Sequence, residues 1–286
     1  MKGSIGICVG LLFISMNSGL HAADTDDPGQ KTKDEELKEL AMGVQNPVSD
    51  LWRFGFNYNT RFGTGPTNST INNVNLIGNT TRQFGQWSII NRFIVPLLYL
   101  PESVPDAPSG DSGRSVGLGD IEWTSFLVRD ESKRWFKSIG GLGPTIIFKT
   151  ATDDRMGQGK WTIGPTLAIA EITDPWVNGV LVRNLWSFAG DSERLKVNLF
   201  VLQPFVNYNF SGGWYFSSAP IIFADWEAAS RNRWTVPLGG GFGKVLFRGE
   251  RHPVNVRFQS FYFIEKPDSG PDWSLQLNVR ILFPEN

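Results

Sequence analysis

Residues 272–283 read DWSLQLNVRILF. Taken alternately, Trp273, Leu275, Leu277, Val279, Ile281 and Phe283 form one row, and Ser274, Gln276, Asn278 and Arg280, then Leu282, form the other. Period two is the period of a β-strand with one apolar and one polar face. The same split recurs in about twelve extended segments from Leu51 onward. In WRFGFNYNTR, for example, Trp52, Phe54, Phe56 and Tyr58 oppose Arg53, Asn57, Asn59 and Arg61. Each segment runs about 10–15 residues, against about 5–6 for an ordinary globular strand. A tilted transmembrane strand needs about 9–11 residues inside the hydrocarbon. A chain built this way must turn its apolar rows either into a protein core or out to lipid.

The connections and the aromatics decide between the two. Long connections such as LPESVPDAPSGDSGRS and TATDDRMGQGK alternate with short ones such as RDESKR, TDP and SGG. Transmembrane barrels have short turns on the periplasmic side and longer loops outside. Trp52, Trp87, Trp135, Trp161, Trp176, Trp214, Trp234 and Trp273 stand at strand starts, and Phe188, Phe210, Trp226, Phe247 and Phe283 at strand ends. Aromatic girdles at both membrane interfaces produce that placement, whereas a buried core would scatter the rings along the strands. The expectation is an all-β fold over residues 51–286: a closed antiparallel transmembrane β-barrel of about twelve strands, first strand paired with last so that no edge is left open.

The N-terminus, MKGSIGICVGLLFISMNSGLHAAD, has a basic Lys2, an apolar run Ile5–Met16 and a small-residue exit. It reads as a signal peptide, residues 1–23, cleaved after Ala22 or Ala23. The single cysteine, Cys8, lies within it. Residues 24–50 form a polar segment with a short amphipathic helix, Leu37, Leu40, Ala41 and Val44 sharing a face, which ends at Asn46-Pro47. A formal charge of −1 and a pI near 6.2 give no electrostatic case for nucleic acid. A mean hydropathy of −0.18 excludes a helical membrane protein but not a barrel, half of whose strand residues are polar. The expected location is the bacterial outer membrane, with membrane lipids, lipopolysaccharide and the outer-membrane assembly machinery as partners.

Motifs for catalysis are weak. Past the signal the only histidine is His252, in the turn RGERHP, on the wrong side for a Ser–His pair acting on the outer leaflet. Asp153 and Asp154 in TATDDRMGQGKW are too few for a calcium site and read as turn residues. PLGGGFGK, residues 237–244, lies inside a strand, where its glycines mark bends or close approach of something in the lumen rather than a phosphate loop. No catalytic residue, metal ligand or cofactor is assigned.

Strand parity instead directs Arg53, Arg92, Asp120, Glu122, Lys149, Asp225, Arg257 and Arg280 inward, as a candidate solute path. Arg257 and Arg280 fall on the last two strands as one basic wall, with Asp120 and Glu122 facing them. The competing reading is a plugged barrel whose internal salt bridges only hold it rigid. Twelve strands lie between filled eight-stranded barrels and open sixteen-stranded porins, which suits a narrow selective channel. The excess of inward basic residues implies a weak preference for anions. The Leu37–Val44 helix is placed to plug the periplasmic end.

Several runs carry a resemblance. ELAMGVQNPVSDL (Glu39–Leu51), RFIVPLLYLPES, VGLGDIEWTSFL, TATDDRMGQGKWTIGPT and LWSFAGDSER are among them. So are LQPFVNYNFSGGWYFSSAPII, RWTVPLGGGFGKV and FIEKPDSGPDWSLQLNVRILFP. Together they resemble a Gram-negative outer-membrane family often labelled transporter, or mislabelled "neuromedin U", related to outer-membrane proteins of phenol meta-cleavage pathways. The resemblance implies an outer-membrane barrel passing small aromatic or hydrophobic compounds, and lends no catalytic residues. The ending FPEN departs from the terminal aromatic common in such barrels. The reading is therefore a passive channel for small organic solutes, aromatic or anionic. A non-conducting structural or surface-interaction barrel is the alternative, and a lipid-active enzyme the third.

Overall fold

A computed structural model describes residues 32–49, 51–100, 115–129, 138–247 and 252–283. Residues 1–23, expected to be a signal peptide, residues 24–31, Trp135 and the connections at 101–114 and 130–137 lie outside the described residues. After helix α1 (Lys33–Gln45) come β1 (Trp52–Thr64), β2 (Ser69–Phe84), β3 (Trp87–Leu100), β4 (Ser115–Leu118), β5 (Glu122–Arg129), β6 (Ser138–Ile147) and β7 (Lys160–Thr173). They are followed by β8 (Trp176–Gly190), β9 (Asn198–Asn209), β10 (Trp214–Ser218), β11 (Ile222–Asp225), β12 (Trp234–Leu246), β13 (Val254–Glu265) and β14 (Trp273–Phe283).

All neighbours pair antiparallel, and β1 pairs with β14 from Trp52↔Phe283 to Phe62↔Trp273. The sheet therefore closes. β4 and β5 both pair with β3, and β10 and β11 both lie between β9 and β12, so each pair is one interrupted stave. The fourteen strands make a closed barrel of twelve staves.

The interruption between β4 and β5 is a bulge. Leu97 faces Leu118 and Ile94 faces Glu122, so a three-residue advance on β3 matches a four-residue advance opposite. The extra residue reverses the face. Val116 stands outward, 75% exposed, while Glu122 of the same parity is buried inside. The expected continuous strand Val116–Val128 is thus broken at residues 119–121, and Trp214–Trp226 is broken at 219–221, where Pro220 lacks an N–H. The fifth stave, β6, is described from Ser138, and Trp135, expected to start it, lies outside the described residues.

The outer surface is apolar in a continuous band that includes Phe54, Phe56, Leu142, Ile163, Leu167, Ile169, Leu238, Phe242, Phe258 and Ile264, all exposed. Water does not tolerate so large a patch, but lipid does. Aromatics bound the band. At one end, the turn end, stand Trp52, Phe84, Trp176, Phe210, Trp214 and Phe283. At the other, the loop end, Phe62 stacks on Trp273 at 4.0 Å and Trp226 meets Trp234 edge-on at 5.8 Å. From Trp52 to Phe62 a strand rises about 33 Å. At a tilt of about 40° that becomes about 25 Å along the barrel axis, the height of the apolar band of a transmembrane barrel.

Inside, α1 occupies the turn end. Its acidic first turn, Asp34, Glu35 and Glu36, suits the positive end of the helix dipole. Leu37, Ala41 and Val44 pack on the inward Tyr215, Val245 and Leu282, and Met42 packs against a cluster of Ala170, Val177, Phe205 and Ala219. Val48, just beyond, joins Ile90, Phe126, Ala168 and Leu181 on the opposite wall. Tyr215 lies flat across Gly243, where a Cβ would stand 2.2 Å from its ring, so only glycine fits there. The glycine-rich run of β12 admits this side chain into the lumen.

Candidate solute path in the barrel lumen

Among the described residues, two cavities inside the barrel share Asn57, Asn75, Ile221 and Gln276 as wall. The larger, about 410 Å³, opens toward the loop end beneath Pro267, Ser269, Gly270 and Pro271 of the β13–β14 connection. Ile221, Phe223, Pro237, Phe261 and Phe263 form its apolar wall, and Asn59, Arg61, Ser274 and Gln276 its polar one. The smaller, about 170 Å³, sits over α1, with Val44, Gln45 and Pro47 as floor and Arg53, Arg92, Arg257 and Arg280 in its walls.

Register explains how these cations meet. Arg53 faces Asn79, which faces Arg92 across β1, β2 and β3. Arg280 lies opposite both Gly55 and Asn255, so its diagonal neighbours are Arg53 and Arg257. Diagonal side chains on one face stand about 7–8 Å apart, within reach of long groups. The four guanidiniums nonetheless have different partners. Arg53 is buried and donates to the last carbonyls of α1 and its exit: Val44 O and Asn46 O at 3.0 Å, Gly43 O at 3.4 Å. It caps the helix C-terminus, where a cation is favoured by the dipole. Arg92 donates to Glu122 at 3.3 Å. Glu122 also accepts from Arg183 Nη1 at 2.6 Å, so one carboxylate serves two arginines. Among the described residues Arg257 reaches only Ser217 Oγ, at 3.4 Å. Arg280 has no hydrogen-bonded or ion-paired side chain among the described residues.

The remaining sequence candidates do other things. Asp120 sits in the bulge, where its carboxylate accepts from the backbone N–H groups of Thr150 (3.1 Å), Ala151 (3.0 Å) and Gln158 (2.7 Å). It pins the β6–β7 connection rather than facing Arg257 and Arg280. That connection tucks inward, burying Met156 against Gly117 and Gly119. Lys149 lies two residues past the end of β6, exposed at the loop-end mouth. Asp225 ends β11, exposed, and accepts from Glu227 N at 3.0 Å in the following turn. The facing acidic wall expected from Asp120 and Glu122 is therefore not formed: Glu122 alone points into the lumen, toward Arg92 and Arg183.

Arg183 is the residue that parity missed. Its strand, WVNGVLVRNLWSF, is apolar on both faces, because Val177, Leu181 and Leu185 point inward to the packed interior. The period-2 contrast that identifies a lumen face is absent there. Beside Glu122, Thr124, Thr145 and Thr166 form a buried hydroxyl ladder at 2.8 and 2.5 Å, closing this side of the barrel.

Asp153 accepts from Arg155 through the guanidinium Nε and Nη2, at 3.0 and 2.9 Å, and from the Arg155 backbone N–H. Those bonds lower its carboxyl to about 2. Among the described residues no group of three or more His, Cys, Asp and Glu side chains is placed to hold a metal ion. His252 stands at the turn end with its ring 5.1 Å from Phe283, remote from both cavities.

No family model matches the sequence, and no curated protein does. Among solved structures, an outer membrane channel from Pseudomonas putida F1 superposes with a TM-score of 0.62 at 16% identity, over 84% of this chain and 98% of that one. The CymD monoaromatic hydrocarbon channel gives a TM-score of 0.46 at 10% identity, over 87% and 92%. The first likeness bears on the fold, which it shares: a closed β-barrel with strands spanning the wall.

Proposed function

We propose that this protein is a bacterial outer-membrane channel for passive passage of small organic solutes, with a preference for anions. The observation that carries the reading is the lumen. Inside a closed barrel with an apolar exterior, six inward arginines among the described residues, Arg53, Arg61, Arg92, Arg183, Arg257 and Arg280, accompany one described lumen carboxylate, Glu122. A cavity of one charge sign with low-dielectric walls concentrates solutes of the other sign. The Pseudomonas putida barrel of the same fold is described as an outer membrane channel, which agrees. In this setting the apolar band contacts lipid, the loop end contacts lipopolysaccharide, and the outer-membrane assembly machinery inserts the barrel.

One observation favours the second reading, a non-conducting barrel. α1 and the inward-folded β6–β7 connection fill part of the lumen from opposite ends. Planar-bilayer recordings and liposome swelling decide between them. The channel reading expects ion current with anions more permeant than cations, uptake of small organic acids, and a permeability ratio closer to one in Arg257→Ala/Arg280→Ala. Absence of both current and uptake would sink it.

A further inference from the structure

We infer that the two lumen cavities together form one binding site for an amphipathic carboxylate, its charged end on Arg257 and Arg280 and its apolar body against Phe223, Phe261 and Phe263. This rests on the lumen being the solute path and adds the chemistry that the path selects.

Three observations converge. The first is uncompensated charge. Arg53 is engaged by helix carbonyls and Arg92 by Glu122, whereas Arg257 has one long bond to a hydroxyl and Arg280 has no partner among the described residues. Two neighbouring guanidiniums on one inner face, without a carboxylate, repel each other and call for an anion. The second is geometry. Guanidinium forks bind carboxylates bidentately, which an ammonium does not. Gln276 and Asn57, shared by both cavities, offer amide groups where a carboxylate would meet its hydrocarbon body. The third is the adjoining space. The upper cavity's 410 Å³ and aromatic wall suit a ring or short hydrocarbon chain, and mixed apolar walls with a few convergent polar groups are what small-molecule sites present. The α1 floor closes the lower cavity, so a solute entering from the loop end halts with its head group on the arginines.

The test uses the purified full-length barrel in nanodiscs, its fold checked by heat-modifiable gel mobility, with binding followed by calorimetry. The probes are 3-phenylpropanoate, its neutral alcohol 3-phenylpropanol, and acetate. Phenylpropanoate is expected to bind at least about tenfold more tightly than either of the others. Arg257→Gln and Arg280→Gln should each weaken phenylpropanoate about tenfold and leave phenylpropanol unchanged. Arg280→Lys, which keeps the charge and loses the fork, should fall between. Phe261→Ala should weaken phenylpropanoate and phenylpropanol alike. Equal binding of acid and alcohol, or phenylpropanoate affinity indifferent to both glutamine variants, overturns the inference. Conductance separates this failure from that of the channel reading. Current without charge-dependent binding removes the site and keeps the channel; binding without current does the reverse.

Discussion

Glu122 is the single side chain on which the buried charge of the lumen turns. It accepts from Arg183 at 2.6 Å and Arg92 at 3.3 Å, and all three side chains are at most one-fifth exposed. Removing one partner of a buried ionic network leaves charge without compensation, at a cost of about 3–5 kcal/mol. Glu122→Gln is therefore expected to lower barrel stability by about 3 kcal/mol, read from the urea midpoint of unfolding in detergent. Glu122→Gln/Arg183→Met, which removes a cation together with the anion, should recover much of that loss. Outside the barrel wall, Asp153 gives a pH prediction. Its carboxyl lies at about 2, below the ordinary value of a free aspartate, because of its bonds to Arg155. A lowered folded value means that the clamp contributes fully above the ordinary carboxylate range and is lost as pH falls through the folded value. Amide exchange of Thr152–Gly157 should be protected equally from pH 8 to about 5, once corrected for intrinsic rates. Protection should be lost only as pH approaches about 2. Glu122's inward direction was legible from strand parity. Its partner Arg183 was not, because an apolar row lies on each side of β8.

Among the elements, the β4–β5 bulge and the β6–β7 connection act as one unit. The bulge exposes the Asp120 carboxylate to three backbone N–H groups, and the Thr150 and Thr152 hydroxyl oxygens accept from Ile121 N (2.9 Å) and Leu118 N (3.0 Å). Hydrogen bonds to a charged acceptor contribute about 1.5–3 kcal/mol each, and every 1.4 kcal/mol is about tenfold in an opening equilibrium. Asp120→Ala should therefore raise amide exchange of Thr150, Ala151 and Gln158 by at least about tenfold while leaving β7 and β8 protected. Uniform loosening of the neighbouring strands would contradict a local role. Period-2 reasoning located all twelve staves, since most strands contrast a lipid row with a polar row. It failed at this bulge because one inserted residue swaps the two rows, leaving Val116 outside and Glu122 inside at the same parity. The helix was readable from Leu37, Ala41 and Val44. What it packs against was not, since Tyr215, Val245 and Leu282 come from three separate strands whose register no local pattern encodes.

At the scale of the whole molecule, the helix and the lumen charge are coupled through Arg53. In the intact chain its guanidinium is occupied by Gly43, Val44 and Asn46 carbonyls, so the helix both narrows the turn end and withholds one cation from the path. Deleting residues 33–46, with residues 1–32 left in place, should then do two things at once. Conductance rises because the floor formed by Val44 and Gln45 is gone. Anion preference rises as well, because Arg53 joins Arg257 and Arg280 as a free cation in the same cavity. A plug that merely blocked would change the first quantity alone. The discriminating variant is Arg53→Gln. In the intact chain it loses the helix cap, loosening α1 and making its Lys38 and Gln45 region accessible to protease. In the deletion background it removes the freed charge, so the anion-to-cation permeability ratio should fall back toward that of the intact protein while conductance stays high. Conductance unchanged by the deletion would mean that the helix does not obstruct the path. Raised conductance with a ratio indifferent to Arg53→Gln would mean that selectivity is set entirely by Arg257 and Arg280 on the last two strands.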